Sequence, residues 1–401
     1  MALFADAPGR DSYDVVIIGG AIMGSSVAWH LSADPGFRGR VLVVERDPTF
    51  ETASSTLTNS CLRQQFTTAI NIRISQFTAQ VIRDFPAYVE DENAPEIALK
   101  SFGYLYLADS AQGAAALRAA QALQNSLGVA TRILTRDQIA EAWPCMTVGD
   151  IVCGAHNPVD EGYFDGAGMC DWWRRAAHRN GVEFAAGTVT GIETAGGRVQ
   201  AVTLADGARI ACGAAVNAAG PRAAQLAAMA GLDLPVEPRR RYSFVFDVQE
   251  RPGGTLPLTI DPSGVHVREE GGYYLAGCPP DDDTAAAAED FAMDHEIWEA
   301  KIWPRLAARI PAFEAVKVMQ SWVGHYAYNT LDRNAVVGPA PGLENFHFVN
   351  GFSGHGLQQS PAMGRGVAEL IAHGRYRSLD LSPLGYDRIA AGRPLRELAV
   401  I

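Results

Sequence analysis

The sequence predicts an α/β (α+β) fold of two domains, a Rossmann-like domain and a second domain carried by a mixed β-sheet. Three observations carry this. The 401 residues exceed the roughly 250–300 at which a single hydrophobic core stops growing. From Asp14 the chain reads DVVIIGGAIMGSSVAWHLS and then, at 41–46, VLVVER: a β-branched run, a glycine turn, a helix-compatible stretch and a second strand, which is a βαβ unit. Strand-to-glycine turns return at AAVNAAGP (214–221) and after FHFV (346–349), with strand-rich sequence between them, so the second domain interrupts the first.

The elements follow in order. Apolar residues at Ile70, Ile72, Ile74, Phe77, Val81, Ile82, Phe85 and Tyr88 keep a 3.6-residue period and predict one long amphipathic helix over 69–92. A strand is expected at 101–108 and an alanine-rich helix from Ala111 to about Leu127. Thr135 and Gln138 have capping-box spacing. Asp165 is placed to cap a helix ending at Gly181. Alternating sequence over 181–220 reads as strands and hairpins. Pro221 and Gly231 mark the start and stop of a short helix. A second strand-rich region runs over 241–278, the polar stretch 279–290 reads as a mobile loop, and a last helix is expected from about Pro361 to Gly374. The expected division is 10–92, 151–234 and 325–390 for the first domain, 93–150 and 235–324 for the second.

Composition narrows the function. Hydrophobic residues at 48% against 19% charged exclude a disordered or coiled-coil chain. A net charge of −12 has the wrong sign for phosphate backbones or anionic membranes, so no nucleic acid is expected as a partner. Six cysteines lie scattered without CxxC or ligand-like spacing, so neither a disulfide framework nor a metal site is expected. With no apolar run near ~20 residues there is no membrane span, and the chain reads as cytoplasmic.

The turn Gly19-Gly20-Ala21-Ile22-Met23-Gly24 fits GxGxxG with Ala21 in place of the second glycine, and Glu45 closes the next strand. Gly19 permits the tight turn and Gly24 close helix packing. The helix N-terminus offers free amides to phosphates, and the acid suits ribose hydroxyls. FAD and NAD share this unit. An NAD domain continues directly into further βα units, whereas Glu45 is followed here by the irregular TASSTLTNSCLRQQF.

IIGGAIMGSS, VNAAGP and GFSGHG are similar to the D-amino acid oxidase and sarcosine oxidase superfamily of FAD-dependent oxidoreductases. Within it, LRQQF (62–66), EPRRRY (237–242), HYAYNTLDRNAVVG (325–338) and GFSGHGLQQSP (351–361) resemble the subfamily of the mitochondrial oxidoreductase associated with respiratory complex I assembly. The resemblance implies an FAD-binding domain of the glutathione-reductase-like kind in three sequence pieces beside a mixed-sheet substrate domain.

Carried over by position, Gly19, Gly20 and Gly24 would face the pyrophosphate, with Ala21 at the middle position, Glu45 would meet the adenosine ribose, Met23 and Arg46 are further cofactor-binding candidates, and Ser54 and Ser55 fall in the loop beside the cofactor. Val189 would meet the adenine, and Gly220 belongs to the second cofactor turn. Gly354, His355, Gly356 and Leu357 would line the pyrimidine edge of the flavin. Arg63 sits in the loop that reaches flavin and substrate carboxylate, for which its planar fork of donors is suited. Tyr274, His325 and Gln358 are the other catalytic candidates. His325 stands near the cysteine through which sarcosine oxidases attach FAD, so noncovalent FAD is expected, and Gln358 replaces a carboxylate-binding lysine. His30, His178 and His373 lie on helices without evident partners. The resemblance to the subfamily brings no substrate with it; the reaction expected is oxidation of a carbon–nitrogen bond in an amine or amino acid, secondary or primary, that carries a carboxylate. The electron acceptor is left open between oxygen, a quinone and an electron-transfer flavoprotein. The rival reading is a flavin-containing assembly or scaffold protein for respiratory complexes.

Overall fold

A computed structural model describes residues 3–400. The strand Ser12–Ile18 is the hinge of the first sheet. Its apolar run is buried on both faces, with Val16 and Ile17 0% exposed, as interior strands of a parallel sheet are. It pairs in parallel with Val41–Glu45 on one side and Arg209–Asn217 on the other. Arg209–Asn217 divides its own outer edge: its first half pairs antiparallel with Arg198–Leu204, and its last three residues pair in parallel with Leu343–Asn350. With Glu183–Ala186, which pairs in parallel on the far side of Val41–Glu45, five parallel strands therefore end on one edge of the sheet. Gly19, Glu45, Gly220 and the turn 351–356, drawn from both ends and the middle of the chain, emerge together there, at the crevice where strand order reverses.

Three helices cover one face. Ile22–Ala33 packs against Gly356–His373 so closely that a Cβ on Gly364 would stand 2.1 Å from Ser26 Oγ, and the Ser26 hydroxyl donates to the Ser360 carbonyl at 2.7 Å. On its other flank lies Gly166–Arg179, capped as expected by Asp165, which accepts from the Gly168 amide.

The second sheet has eight strands in the order Val316–Asn329, Val236–Val248, Tyr273–Cys278, His266–Glu270, Leu258–Ile260, Tyr104–Ala108, Cys153–Asn157, Arg132–Thr135. The expected boundaries at 151 and 325 do not follow the sheets, because Cys153–Asn157 and all of Val316–Asn329 pair in this second one. Its core gathers Phe244, Phe246, Tyr274, Trp298 and Phe313.

Several elements differ from expectation. The helix over 69–92 breaks into Ala69–Arg83 and Phe85–Tyr88, because the Asp84 side chain caps a new turn and Pro86 cannot continue the old one. The last helix starts at Gly356, one turn before Pro361. Proline is tolerated there because the Leu357 carbonyl, left without a backbone donor, accepts the Ser360 hydroxyl at 2.9 Å. The capping box at Thr135 and Gln138 forms in full, and Gly374 closes the last helix at φ +69°. Residues 279–290 have no regular structure yet are pinned: Asp283 pairs with Arg241, Asp281 with Lys301, and the Ala286 amide donates to Pro238 O. His30 and His373 do have partners, Tyr88 at 2.9 Å and Asp34 at 2.9 Å. The six cysteines are free. Among the described residues no cluster could hold a metal, and no helix is long and apolar enough to cross a membrane.

Candidate active site

A cavity of about 500 Å³ opens where the parallel strands end and runs to the second sheet. At its first end the wall is mostly backbone. Gly19 (φ +105°) makes the turn into Ile22–Ala33, and that helix begins with neither a side-chain cap nor an acidic residue. The helix Gly356–His373 also begins uncapped, with no acid in its first turn. Two helix N-termini with unsatisfied amides thus face one cavity, each carrying the partial positive charge of its dipole. Such ends suit the pyrophosphate and the electron-rich edge of a reduced flavin. Gly354 makes the second turn possible: its φ is +98°, and a Cβ there would lie 2.2 Å from the Tyr326 ring.

Glu45 is tied at both oxygens, accepting from the Gly20 amide at 2.7 Å and the Asp47 amide at 2.8 Å. Burial pushes its carboxyl upward, opposed by those two bonds. Arg46 lies beside it, exposed and without an ion pair among the described residues. Ser54 and Ser55 line the cavity and fasten the loop, Ser54 donating to the His325 carbonyl at 2.6 Å and Ser55 accepting from the Ile22 amide at 3.4 Å. Ala21, Met23, Val189, Gly220, His355, Gly356 and Leu357 also line it.

At the other end side chains take over. Arg63 is 4% exposed, and its guanidinium lies 3.9 Å over the Phe66 ring. It donates to the carbonyls of Gln65 at 2.9 Å and of Ala399, and among the described residues no carboxylate lies within 4 Å of it. Two of its five N–H groups are engaged, leaving three. Gln358 Oε1 accepts from the Arg63 backbone amide at 2.9 Å, so Gln358 holds the loop as well as facing the cavity. His325 stacks on Phe291 at 4.4 Å, and its Nε2 donates to the Asp290 carbonyl at 2.8 Å. Burial lowers its pKa. His355 is pushed the same way, by burial first and the charge of Arg63 second.

Three expected residues stand apart from the cavity. Tyr274, 2% exposed, packs on Phe246 and Phe313 in the second domain's core. Strand alternation gives it that face, and the phenol is a packing group. Gly24 lies below the turn, where a Cβ would stand 1.8 Å from the Gly19 carbonyl; it serves helix–strand approach. Gly20 spends its amide on Glu45.

Sequence reasoning passed over Arg241, Tyr326 and His266, all of which line the cavity. Arg241 binds Asp283 in a bidentate pair at 2.7 and 2.9 Å and lies over Tyr326. In the run Arg239-Arg240-Arg241 strand parity separates Arg240 from the other two but does not distinguish Arg241 from Arg239, which also reaches Asp283. His266 accepts from the Asn59 amide group at 3.2 Å, and burial takes its pKa down to about 4.

Comparison with known proteins agrees with this geometry. Residues 14–370 match the family described as FAD dependent oxidoreductase. The chain is 37% identical to the FAD-dependent oxidoreductase domain-containing protein 1 of Xenopus laevis, over 97% of this chain and 85% of that one. It is 25% identical to the mitochondrial sarcosine dehydrogenase of Homo sapiens, over 93% of this chain but 41% of that one. The crystal structure of L-proline dehydrogenase from P. horikoshii superimposes with a TM-score of 0.83 at 24% identity, covering 96% of this chain and all of that one. Arrangement and sequence lead to one assignment: this chain belongs to the family of FAD-dependent oxidoreductases.

Proposed function

We propose that this protein oxidises the carbon–nitrogen bond of an amine or amino acid that carries a carboxylate, and that Arg63 anchors that carboxylate. The observation that carries the reading is a buried guanidinium that lines the cavity with no carboxylate within 4 Å among the described residues, Glu397 acting on it only from farther away. A buried charge is costly unless paired, and a carboxylate arriving with the substrate supplies the pair. Arg241 and Arg222, the other partly buried cations here, are already matched by Asp283 and Glu289.

FAD, when bound, supplies the hydride acceptor. The protein's part is to bind and orient. Arg63, held from behind by Gln358 and Phe66, offers its remaining N–H groups to the carboxylate. This fixes the neighbouring carbon at one height along the wall. The substrate carbon loses a hydride, its neutral nitrogen shares the lone pair to become an iminium, and water then hydrolyses the iminium to a carbonyl compound and an amine. His355, whose pKa burial takes down to about 3, adds no positive charge that would oppose the iminium. An assembly role has no need of an unmatched arginine in the cavity wall, and no observation favours it.

Anaerobic mixing of the yellow protein with N-alkyl and primary amino acids tests the reading. Bleaching by an amino acid but not by the corresponding decarboxylated amine is the expected result. Equal bleaching by both, unchanged in Arg63→Lys, would remove the anchor.

A further inference from the structure

The segment 395–399 closes the back of the Arg63 site. The Ala399 carbonyl accepts from Arg63 Nη2. Two residues earlier Glu397, 0% exposed, is buried without an ion pair within 4 Å among the described residues. Its carboxylate instead accepts five hydrogen bonds. Four come from the segment following Arg63: the Thr67 amide at 2.8 Å, the Thr67 hydroxyl at 2.6 Å, the Thr68 hydroxyl at 2.9 Å and the Asn71 side chain at 3.0 Å. The fifth comes from the Ala399 amide at 3.1 Å, and Thr67 Oγ1 accepts in return from the Leu398 amide at 2.9 Å. The segment is held from outside as well, its Glu397 amide donating to the Asp332 carbonyl and its Leu395 amide to the Asp332 carboxylate, both at 3.0 Å.

We infer that Glu397 is a positioning residue for the substrate-carboxylate site, fixing the Arg63 fork by placing the Ala399 carbonyl against it; this rests on the proposed anchoring role of Arg63. The chemistry is direct. An arginine on a flexible stem loses much side-chain entropy when it must bind in one orientation. Two fixed carbonyls, of Gln65 and Ala399, hold one edge of the guanidinium in place before any ligand arrives. The remaining N–H groups, one each on Nε, Nη1 and Nη2, are then held in one fixed orientation for a carboxylate of the substrate. Glutamine cannot replace Glu397, because its amide group would turn a donor toward donors on one side of the bond set.

The test uses the FAD-loaded protein and propionate as a simple carboxylate probe, read by perturbation of the visible flavin band. Glu397→Gln is expected to raise the propionate Kd at least tenfold, as Arg63→Lys does, with the FAD content per chain unchanged. The double variant should bind no more weakly than Arg63→Lys alone, since both changes act through one group. A merely structural role for Glu397 would lower the Tm and add its effect in full to that of Arg63→Lys. Should Glu397→Gln fold poorly, Thr67→Val, which removes one donor to Glu397 and the acceptor for Leu398, must weaken propionate at least threefold. Propionate binding within twofold of wild type in these variants, while Arg63→Lys is impaired, overturns the positioning role alone. If wild type does not bind propionate, or Arg63→Lys binds it equally well, the anchoring role falls and the inference with it.

Discussion

The two ends of the cavity are built from different material. Around Gly19 and Gly354 the wall is backbone: helix N-termini and glycine turns with positive φ. Around Arg63 it is side chains, brought from the loop after residue 58 and from the strands Val236–Val248 and Val316–Asn329, with the backbone of segment 395–399 supporting Arg63 from behind. Backbone amides are presented by secondary structure itself and tolerate little substitution where a Cβ has no room. Side-chain sites depend on remote supports and can be retuned one residue at a time. The first end is suited to a constant cofactor, the second to a substrate that differs between relatives.

The largest expected effect breaks the backbone end. Gly354→Ala places a Cβ at 2.2 Å from the Tyr326 ring on a backbone at φ +98°, so purified protein should carry little or no FAD, measured as the 450/280 nm absorbance ratio. Full FAD content would show that the turn is less constrained than its geometry states. Next comes Arg63→Lys at the side-chain end. Loss of the fork removes one to two charge-assisted hydrogen bonds of about 1.5–3 kcal/mol each, so kcat/KM on a carboxylate-bearing amine should fall at least tenfold while FAD is retained. Parallel loss of FAD would mean that Arg63 supports the flavin instead. Glu45→Ala should weaken FAD by about 1.5–3 kcal/mol if Glu45 accepts charge-assisted bonds from the ribose. Apoprotein titration checks this, and unchanged affinity would confine Glu45 to its bonds with Gly20 and Asp47.

A fourth prediction concerns the support beneath Arg63. Glu161, 0% exposed, accepts from the Gln64 and Gln65 amides and from the Gln65 side chain. Burial nevertheless raises its pKa from 4.5 to about 7. The folded state thus binds this proton more tightly than the unfolded chain, so the associated stability is present below pH 4.5 and is lost as pH rises through 7, on the order of 3 kcal/mol. Wild type should therefore lose stability relative to Glu161→Gln across that window; parallel Tm-against-pH curves would contradict it. The smallest effect is on attachment. With the His325 ring engaged by Asp290 and Phe291, acid precipitation should leave the yellow colour in the supernatant.

Much of this was legible beforehand, for identifiable reasons. A glycine turn between a strand and a helix is local, and its consequence follows from a few bonded neighbours; the motif at 19–24, the cap at Asp165 and the stop at Gly374 are all of this kind. Tyr274 and Gln358 were less legible because an aromatic in a strand and an amide on a helix have the same local pattern whether they face a cavity or a neighbour. The sheet decided that Tyr274 packs against Phe313, and the Arg63 loop decided that Gln358 holds a backbone amide.

Sequence by itself determined the fold class, the βαβ unit and its cofactor turns, since apolar periodicity, glycine placement and capping are encoded within one or two turns of chain. Tertiary structure alone decided which charges are matched. Arg241 meets Asp283 across 42 residues, whereas Arg63 donates to carbonyls, one of them 336 residues away, with no carboxylate within 4 Å among the described residues. The cost of a buried charge depends on what lies within a few ångströms of it, and no local pattern in the chain records that distance.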